Sequence, residues 1–345
     1  MTHCPPGGDR ARLTRRALVG GAVAAGAVAV APALALGPVA TPGATPVGAQ
    51  VALGGFVHGA PNDPGAIDRF TAEIGRDLRV VNWFEAWGSA RRVTEETIDL
   101  ALLSAVTDRG AVPMISWEPW DAAAGVDQPT YRLAAIANGD FDAYVNAWAY
   151  RLAAFKGPVL LRFAHEMNAA WYPWGIGVND NAAADYVAAW HHLRDLFRAA
   201  RADNVRWVWC VDATADNAPV ETGFPGDDAV DWVALDGYNW GTSTPATRWR
   251  SFDDVFADGY RRVTALSRRP LMIAETASAE QGGDKAAWIR DGLGALPTAY
   301  PRVRALLWFQ EQGKAADWRV DSSPRALAAF KQTVNSAAWA GTFVP

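Results

Sequence analysis

Eight short apolar runs, separated by segments with helical periodicity, most restrict what this chain can fold into. The runs are Leu53–Val57, Val80–Phe84, Pro113–Trp117, Val159–Phe163, Trp207–Val211, Trp232–Leu235, Leu271–Ala274 and Ala305–Phe309. Most are bounded by polar residues, Gly or Pro. They are mostly apolar rather than alternating, as strands buried on both faces of a parallel sheet are. Between them, Thr94 can cap a helix carrying Ile98, Leu102 and Val106 that stops at Gly110. Asp140 can cap another, carrying Tyr144, Trp148 and Leu152 and stopping at Gly157. Residues 183–200 carry Val187, Trp190, Leu193 and Phe197 at three- and four-residue spacing. Further helices are expected over 252–266, 285–296 and 323–334. Strict alternation of strand and helix over ~290 residues predicts an α/β fold, a single-domain (β/α)8 TIM barrel spanning residues 51–345. An open doubly wound sheet is the main rival. It more often carries a Gly-rich phosphate loop after an early strand, and none is present.

The segment before the barrel has a different character. Thr14-Arg15-Arg16-Ala17-Leu18 leads into a run of Ala, Val and Gly that ends at Ala33-Leu34-Ala35. Basic start, apolar middle and a small-residue site predict a secretory signal of the twin-arginine type over residues 1–35. A linker rich in Pro, Gly, Ala and Thr follows over 36–50. An uncleaved anchor is the alternative, though the run is mildly hydrophobic for a permanent span. The expectation is a bacterial protein exported to the outside or the cell wall, with no stable membrane association after cleavage, and a monomer. The formal net charge is −5. Setting aside Arg10, Arg12, Arg15, Arg16 and Asp9, a net +3, leaves −8 (−5 − 3) for the rest. That balance argues against nucleic acid as a partner. Of the two cysteines, Cys4 leaves with the signal. Cys210 is then alone in an apolar strand, where an inert buried thiol is expected.

Chemistry in such a barrel is done at the C-terminal ends of the strands. Those ends carry Glu85 and Trp87, Glu118 and Trp120, His165 and Glu166, Asp212, Asp236 and Tyr238, Glu275, and Glu311. The fourth run leads into Arg162-Phe163-Ala164-His165-Glu166-Met167-Asn168, with Trp171 and Trp174 close behind. Strand alternation puts Leu160, Arg162, Ala164 and Glu166 on one face and His165 on the other. By the same rule Leu271, Ile273 and Glu275 share a face. A carboxylate at a strand end beside indole rings suits a sugar cleft: the rings pack on the C–H faces of pyranoses and the carboxylate handles protons. With 17 tryptophans, the chain has ample aromatic surface for this, although most Trp serve as core. Arg162 either supplies positive charge to the site or closes an ion pair inside the barrel. His58 is a further residue able to line the cleft. His165-Glu166 is not a zinc motif, because Ala169 stands where the second His would be. No metal and no cofactor are expected.

The segment from Arg162 to Trp174 resembles the acid/base region of glycoside hydrolase family 26, which contains β-mannanases, mixed-linkage β-glucanases and β-1,3-xylanases. The run from Leu271 to Ala277 is similar to the nucleophile strand of that family. The resemblance implies a (β/α)8 barrel with Glu166 as acid/base and Glu275 as nucleophile. It also implies substrate contacts from His165 and Trp171, a tyrosine on the nucleophile at Tyr238, and an aromatic sugar platform at Trp308; Asn168 and Arg162 are further candidate substrate contacts. Ala169 departs from the glycine common after the asparagine, which matters only if that backbone needs positive φ.

Two carboxylates flanking a glycosidic bond carry out retaining hydrolysis when they lie about 5–5.5 Å apart. The expected activity is a secreted retaining endo-β-glycanase cutting β-1,4-mannosidic bonds in mannan-type polysaccharide. A mixed-linkage β-glucanase or xylanase uses the same pair, and a transglycosylase or a trimmer of the cell's own exopolysaccharide is a further possibility. A non-catalytic polysaccharide-binding barrel is the alternative of a different class.

Overall fold

The computed structural model describes residues 50–88 and 98–345. The expected signal over 1–35, the linker apart from Gln50, and the capping Thr94 lie outside the described residues. Eight parallel strands close into a barrel in chain order. They are β1 (Ala52–Val57), β2 (Val80–Ala86), β3 (Val112–Glu118), β4 (Val159–Phe163), β5 (Val205–Asp212), β6 (Trp232–Asn239), β7 (Leu271–Ser278) and β8 (Val303–Gln310). β1 closes the ring by pairing with β8 along its whole length, from Ala52 opposite Ala305 to Val57 opposite Gln310. The (β/α)8 barrel read from the eight apolar runs is the fold observed.

The helices around it are α1 (Pro64–Ile74), α2 (Leu100–Thr107), α3 (Leu133–Ala137), α4 (Asp142–Ala154), α5 (Ala183–Ala199), α6 (Phe252–Leu266), α7 (Lys285–Trp288), α8 (Gly294–Ala299) and α9 (Pro324–Val334). α2 begins at the cap Asp99, whose side chain accepts from the Ala101 amide. α4 begins after Phe141, not at Asp140. Ser251 caps α6 through a reciprocal bond with Asp254. Among the described residues no helix is long and apolar enough to cross a membrane.

Alternation along the strands builds two layers. Val80, Met114, Leu160, Val208, Met272 and Leu307 fill the barrel interior. Val81, Ile115, Leu161, Trp209, Ile273 and Leu306 face outward into the helices. Above the interior apolar layer the inward positions turn polar: Asn82, Ser116, Arg162 and Asp236, each fully buried. Gly237 faces outward between the inward-pointing Asp236 and Tyr238. A Cβ there would come within 2.7 Å of Val255 on α6, so glycine lets that helix press on β6.

Candidate active site

Arg162 is the centre of the polar layer. Its guanidinium donates to Asp236 Oδ2 at 2.6 Å, to Ser116 Oγ at 2.9 and 2.6 Å, and to Glu275 Oε1. The Ser116 hydroxyl in turn donates to Asn82 Oδ1 at 2.8 Å. The arginine is 0% exposed, so it is not a substrate contact as counted from the sequence. Of the two roles left open there, it fills the ion pair inside the barrel, with Glu275 as one partner. Tyr238 donates to the other oxygen, Glu275 Oε2, at 2.6 Å. Glu275 therefore receives a donor on each oxygen, one of them cationic.

Glu275 reaches this position by a break in strand geometry. Leu235 on β6 stands opposite Ile273, but Asp236 stands opposite Glu275, so β7 carries one extra residue at Ala274. The alternation read from sequence put Glu275 with Leu271 and Ile273, which in fact face the helices. The bulge turns the carboxylate inward.

Glu166 sits past the end of β4, which stops at Phe163. Ala164 and Glu166 take left-handed φ of 43° and 55°. The Glu166 amide bonds the Cys210 carbonyl on β5 at 2.9 Å. This turn breaks the alternation assumed for residues 164–166, and it brings both His165 and Glu166 to the mouth. Trp171 Nε1 donates to Glu166 Oε2 at 2.6 Å. Burial raises the pKa of Glu166 well above the ordinary carboxylate value, and the negative charges of Asp212, Asp236 and Glu275 raise it further. Ala169 has no positive φ, so the missing glycine imposes no strain there.

His165 lies 3.2 Å from the Tyr172 hydroxyl through Nε2 and beside Phe84. Burial, and then the charge of Arg162, hold its pKa well below the usual value, so the ring is neutral. Its Nδ1 is buried without a hydrogen-bond partner among the described residues. His165, Asp236 and Glu275 place ligand-type atoms within 4.8 Å of one another. Arg162 already bonds both carboxylates and supplies the positive charge such a trio would call for. His58 stands at the rim, its Nδ1 2.7 Å from Glu311.

Two more expected substrate contacts, besides Arg162, do not face the cleft. Asn168 is fully buried. Its carbonyl accepts from the Asp212 amide at 3.0 Å and its amine donates to the Asp212 and Ala215 carbonyls. It ties the Glu166 loop to the end of β5. Trp308 faces outward, against Trp288 and Phe330, because its neighbour Leu307 holds the inward position. The aromatic surface beside Tyr238 comes instead from Phe309 and Trp318, with ring centroids 5.8 and 5.1 Å away. Trp240 packs on Trp318 at 4.7 Å. Asp236 was expected only as one of the strand-end carboxylates, and Ser116 and Asn82 were not among the expected site residues. A polar side chain inside an apolar run, two residues from an inward Val80 or Met114, was the available signal.

The sequence pattern of Glycosyl hydrolase family 26 matches residues 107–292. Endoglucanase H of Acetivibrio thermocellus is 38% identical over 291 residues, covering 82% of this chain and 30% of that protein. The chain thus spans less than a third of that relative's length. Mannan endo-1,4-beta-mannosidase A and B of Caldalkalibacillus mannanilyticus is 33% identical over 159 residues, which is 44% of this chain and 28% of that protein. Among solved structures, a GH26 β-mannanase from Bacteroides ovatus superimposes with a TM-score of 0.63 at 18% identity, covering 84% of this chain and 90% of that one. A mannanase of Bacillus subtilis does so with a TM-score of 0.59 at 18% identity, covering 83% and 86%. With the pattern matched over more than half its length, the chain belongs to glycosyl hydrolase family 26.

Proposed function

We propose that the chain is a secreted, retaining endo-β-glycanase in which Glu166 is the acid/base and Glu275 the nucleophile. The observation that carries this reading is the unequal treatment of two buried carboxyl groups at one barrel mouth. Glu166 is pushed towards its protonated form by burial and neighbouring charge. Glu275 accepts bonds from Arg162 and Tyr238 on its two oxygens. Environments that separate two carboxyl groups in this way assign the acid and the nucleophile.

In the first step Glu275 attacks the anomeric carbon while Glu166 passes its proton to the departing glycosidic oxygen. The glycosyl–enzyme ester is then opened by water, whose proton returns to Glu166, and Glu275 leaves as carboxylate. Neutral His165, with a free Nδ1, is suited to a sugar hydroxyl. Trp171 orients Glu166, and Trp318 and Phe309 pack on Tyr238 beside the nucleophile. Export rests on the twin-arginine pattern of residues 14–35.

For the backbone of the substrate, the breadth of similarity favours β-glucan. The relative named an endoglucanase matches 82% of the chain, whereas those named mannanases match 44–55% at 26–33% identity. β-1,4-Mannan, the expectation from sequence, is the second reading and is supported by those names. One axial hydroxyl separates the two sugars, so small pocket differences decide between them.

The test is release of reducing ends from mixed-linkage β-glucan, cellulose, mannan, glucomannan and xylan by wild type and Glu275→Ala, with NMR of the first anomer formed. Release from β-glucan as the β-anomer, lost by at least about 10³-fold in the variant, is the expected outcome. Release from mannan alone overturns the glucan preference and keeps the machinery. Undiminished release by Glu275→Ala overturns the nucleophile assignment.

A further inference from the structure

Lys285 opens α7 and is 0% exposed, rare for a lysine. All three of its ammonium protons are engaged: with the Asp317 carbonyl at 3.1 Å, the Arg319 carbonyl at 2.7 Å and Ser322 Oγ at 2.9 Å. These acceptors lie on one segment between β8 and α9. Two of them are the carbonyls immediately before and after Trp318. The intervening Trp318 carbonyl accepts from Trp308 Nε1 at 3.0 Å, and its amide bonds the Glu311 carbonyl at 3.0 Å. The backbone around this one tryptophan is therefore held at four points, and the Arg319 amide between the last two bonds Asp317 Oδ1 at 3.2 Å. The groups facing the ammonium are Glu280, Asp317 and Asp321, which favour its charge, and Arg319, which opposes it. Burial pushes its pKa down to about 8, which leaves it mainly charged at neutral pH. Ser322 relays the clamp to Glu280 at 2.7 Å.

The segment so held has little regular structure of its own. It contains an isolated bridge between Gln312 and Asp317 and a short 3-10 turn over Val320–Ser322. Yet it delivers the ring that packs on Tyr238, whose hydroxyl bonds Glu275. We infer that Lys285 is a positioning residue: by fixing the backbone on both sides of Trp318 it sets the aromatic wall that keeps Tyr238 on Glu275. This rests on the assignment of Glu275 as nucleophile. It also explains the outward face of Trp308, which supports the wall from behind through its indole N–H instead of touching sugar.

The experiment is a double-mutant cycle of Lys285→Met and Trp318→Ala, on the polysaccharide from which wild type releases reducing ends. kcat and KM are measured separately and folding is checked by thermal melting. Lys285→Met is expected to lower kcat/KM about 10–100-fold, the scale of a displaced reacting group. In the Trp318→Ala background its further effect is expected to stay within about twofold, because the two residues act through one path. Unchanged kcat/KM, or equal losses in both backgrounds, overturns the inference and leaves Lys285 as a stability element. If Lys285→Met does not fold, Ser322→Ala takes its place in the cycle. About a threefold loss is then expected, the scale of one hydrogen bond, and it should vanish when Trp318 is Ala. Persistence of the loss in that background is the overturning result. Full activity of Glu275→Ala on the same substrate would instead overturn the underlying assignment, whatever the cycle gives.

Discussion

Glu118 ends β3 on the inward face, two residues beyond Ser116, and is 6% exposed. Its Oε2 accepts from Trp120 Nε1 at 2.9 Å. Burial pushes its pKa up from 4.5 to about 7, the charge of Glu275 adds to the rise, and Trp120 and Arg162 oppose it. The folded carboxyl binds its proton more tightly than an unfolded glutamate does. Its contribution to stability is therefore complete below about pH 4.5 and is lost as pH rises through about 7. The amount is on the order of 3 kcal/mol. Glu118→Gln keeps the shape and the acceptor for Trp120 without a charge to bury. It should match wild type at pH 5 and be about 1–3 kcal/mol more stable at pH 8. Urea unfolding at the two pH values measures this; an equal loss of stability at both would show that the carboxyl itself is needed. A charge kept at a stability cost belongs to a site, where function is held against stability.

At the scale of elements, the strands were readable and their exits were not. A buried parallel strand announces itself as an apolar run, and all eight runs proved to be strands. Alternation also placed Leu160 and Arg162 inward correctly. It failed for Glu275 because the bulge at Ala274 resets the count on β7, and for His165 because the chain turns left-handed at Ala164 and Glu166. Both departures depend on neighbouring strands, which local pattern does not contain. The network of Arg162, Asp236, Ser116 and Asn82 joins four strands and has no local signature beyond a polar residue in an apolar run. Trp308 was misplaced for a related reason. The family resemblance placed it at the sugar platform, but within β8 Leu307 takes the inward place, and Trp318, ten residues later, carries the ring. The left-handed turn itself is testable. A non-glycine residue there carries roughly 1–2 kcal/mol of strain. A β-branched side chain at the fully buried Ala164 adds crowding worth about 1–3 kcal/mol. Ala164→Val should therefore lower stability by about 2–3 kcal/mol and reduce kcat, since Glu166 is two residues on. A variant with wild-type melting and turnover would show that the turn relaxes freely.

Over the whole molecule, the two ends of the barrel are built for different tasks. The end at the C-termini of the strands gathers Glu118, Glu166, Asp236 and Glu275 in a partly desolvated mouth. The opposite end is closed by the chain's own tail. The Val51 amide bonds the Ala338 carbonyl at 2.9 Å. Gly341 lies so close to Val51 that a Cβ there would come within 2.7 Å of its backbone. Phe343 stacks on Trp232 with ring centroids 4.8 Å apart and planes 20° from parallel, covering the apolar layer that fills the interior. In a barrel of this type, residues at the bottom face serve stability and those at the top serve chemistry. Phe343→Ala removes a half-buried ring and the stacking it makes. It should cost about 1–2 kcal/mol, seen as an earlier urea midpoint, with kcat and KM unchanged on the same polysaccharide. The separation holds because the rigid apolar layer between the ends transmits little of a change made at one rim. A fall in kcat that tracks the loss of stability would mean instead that the interior couples the tail to Arg162 and the carboxylates above it.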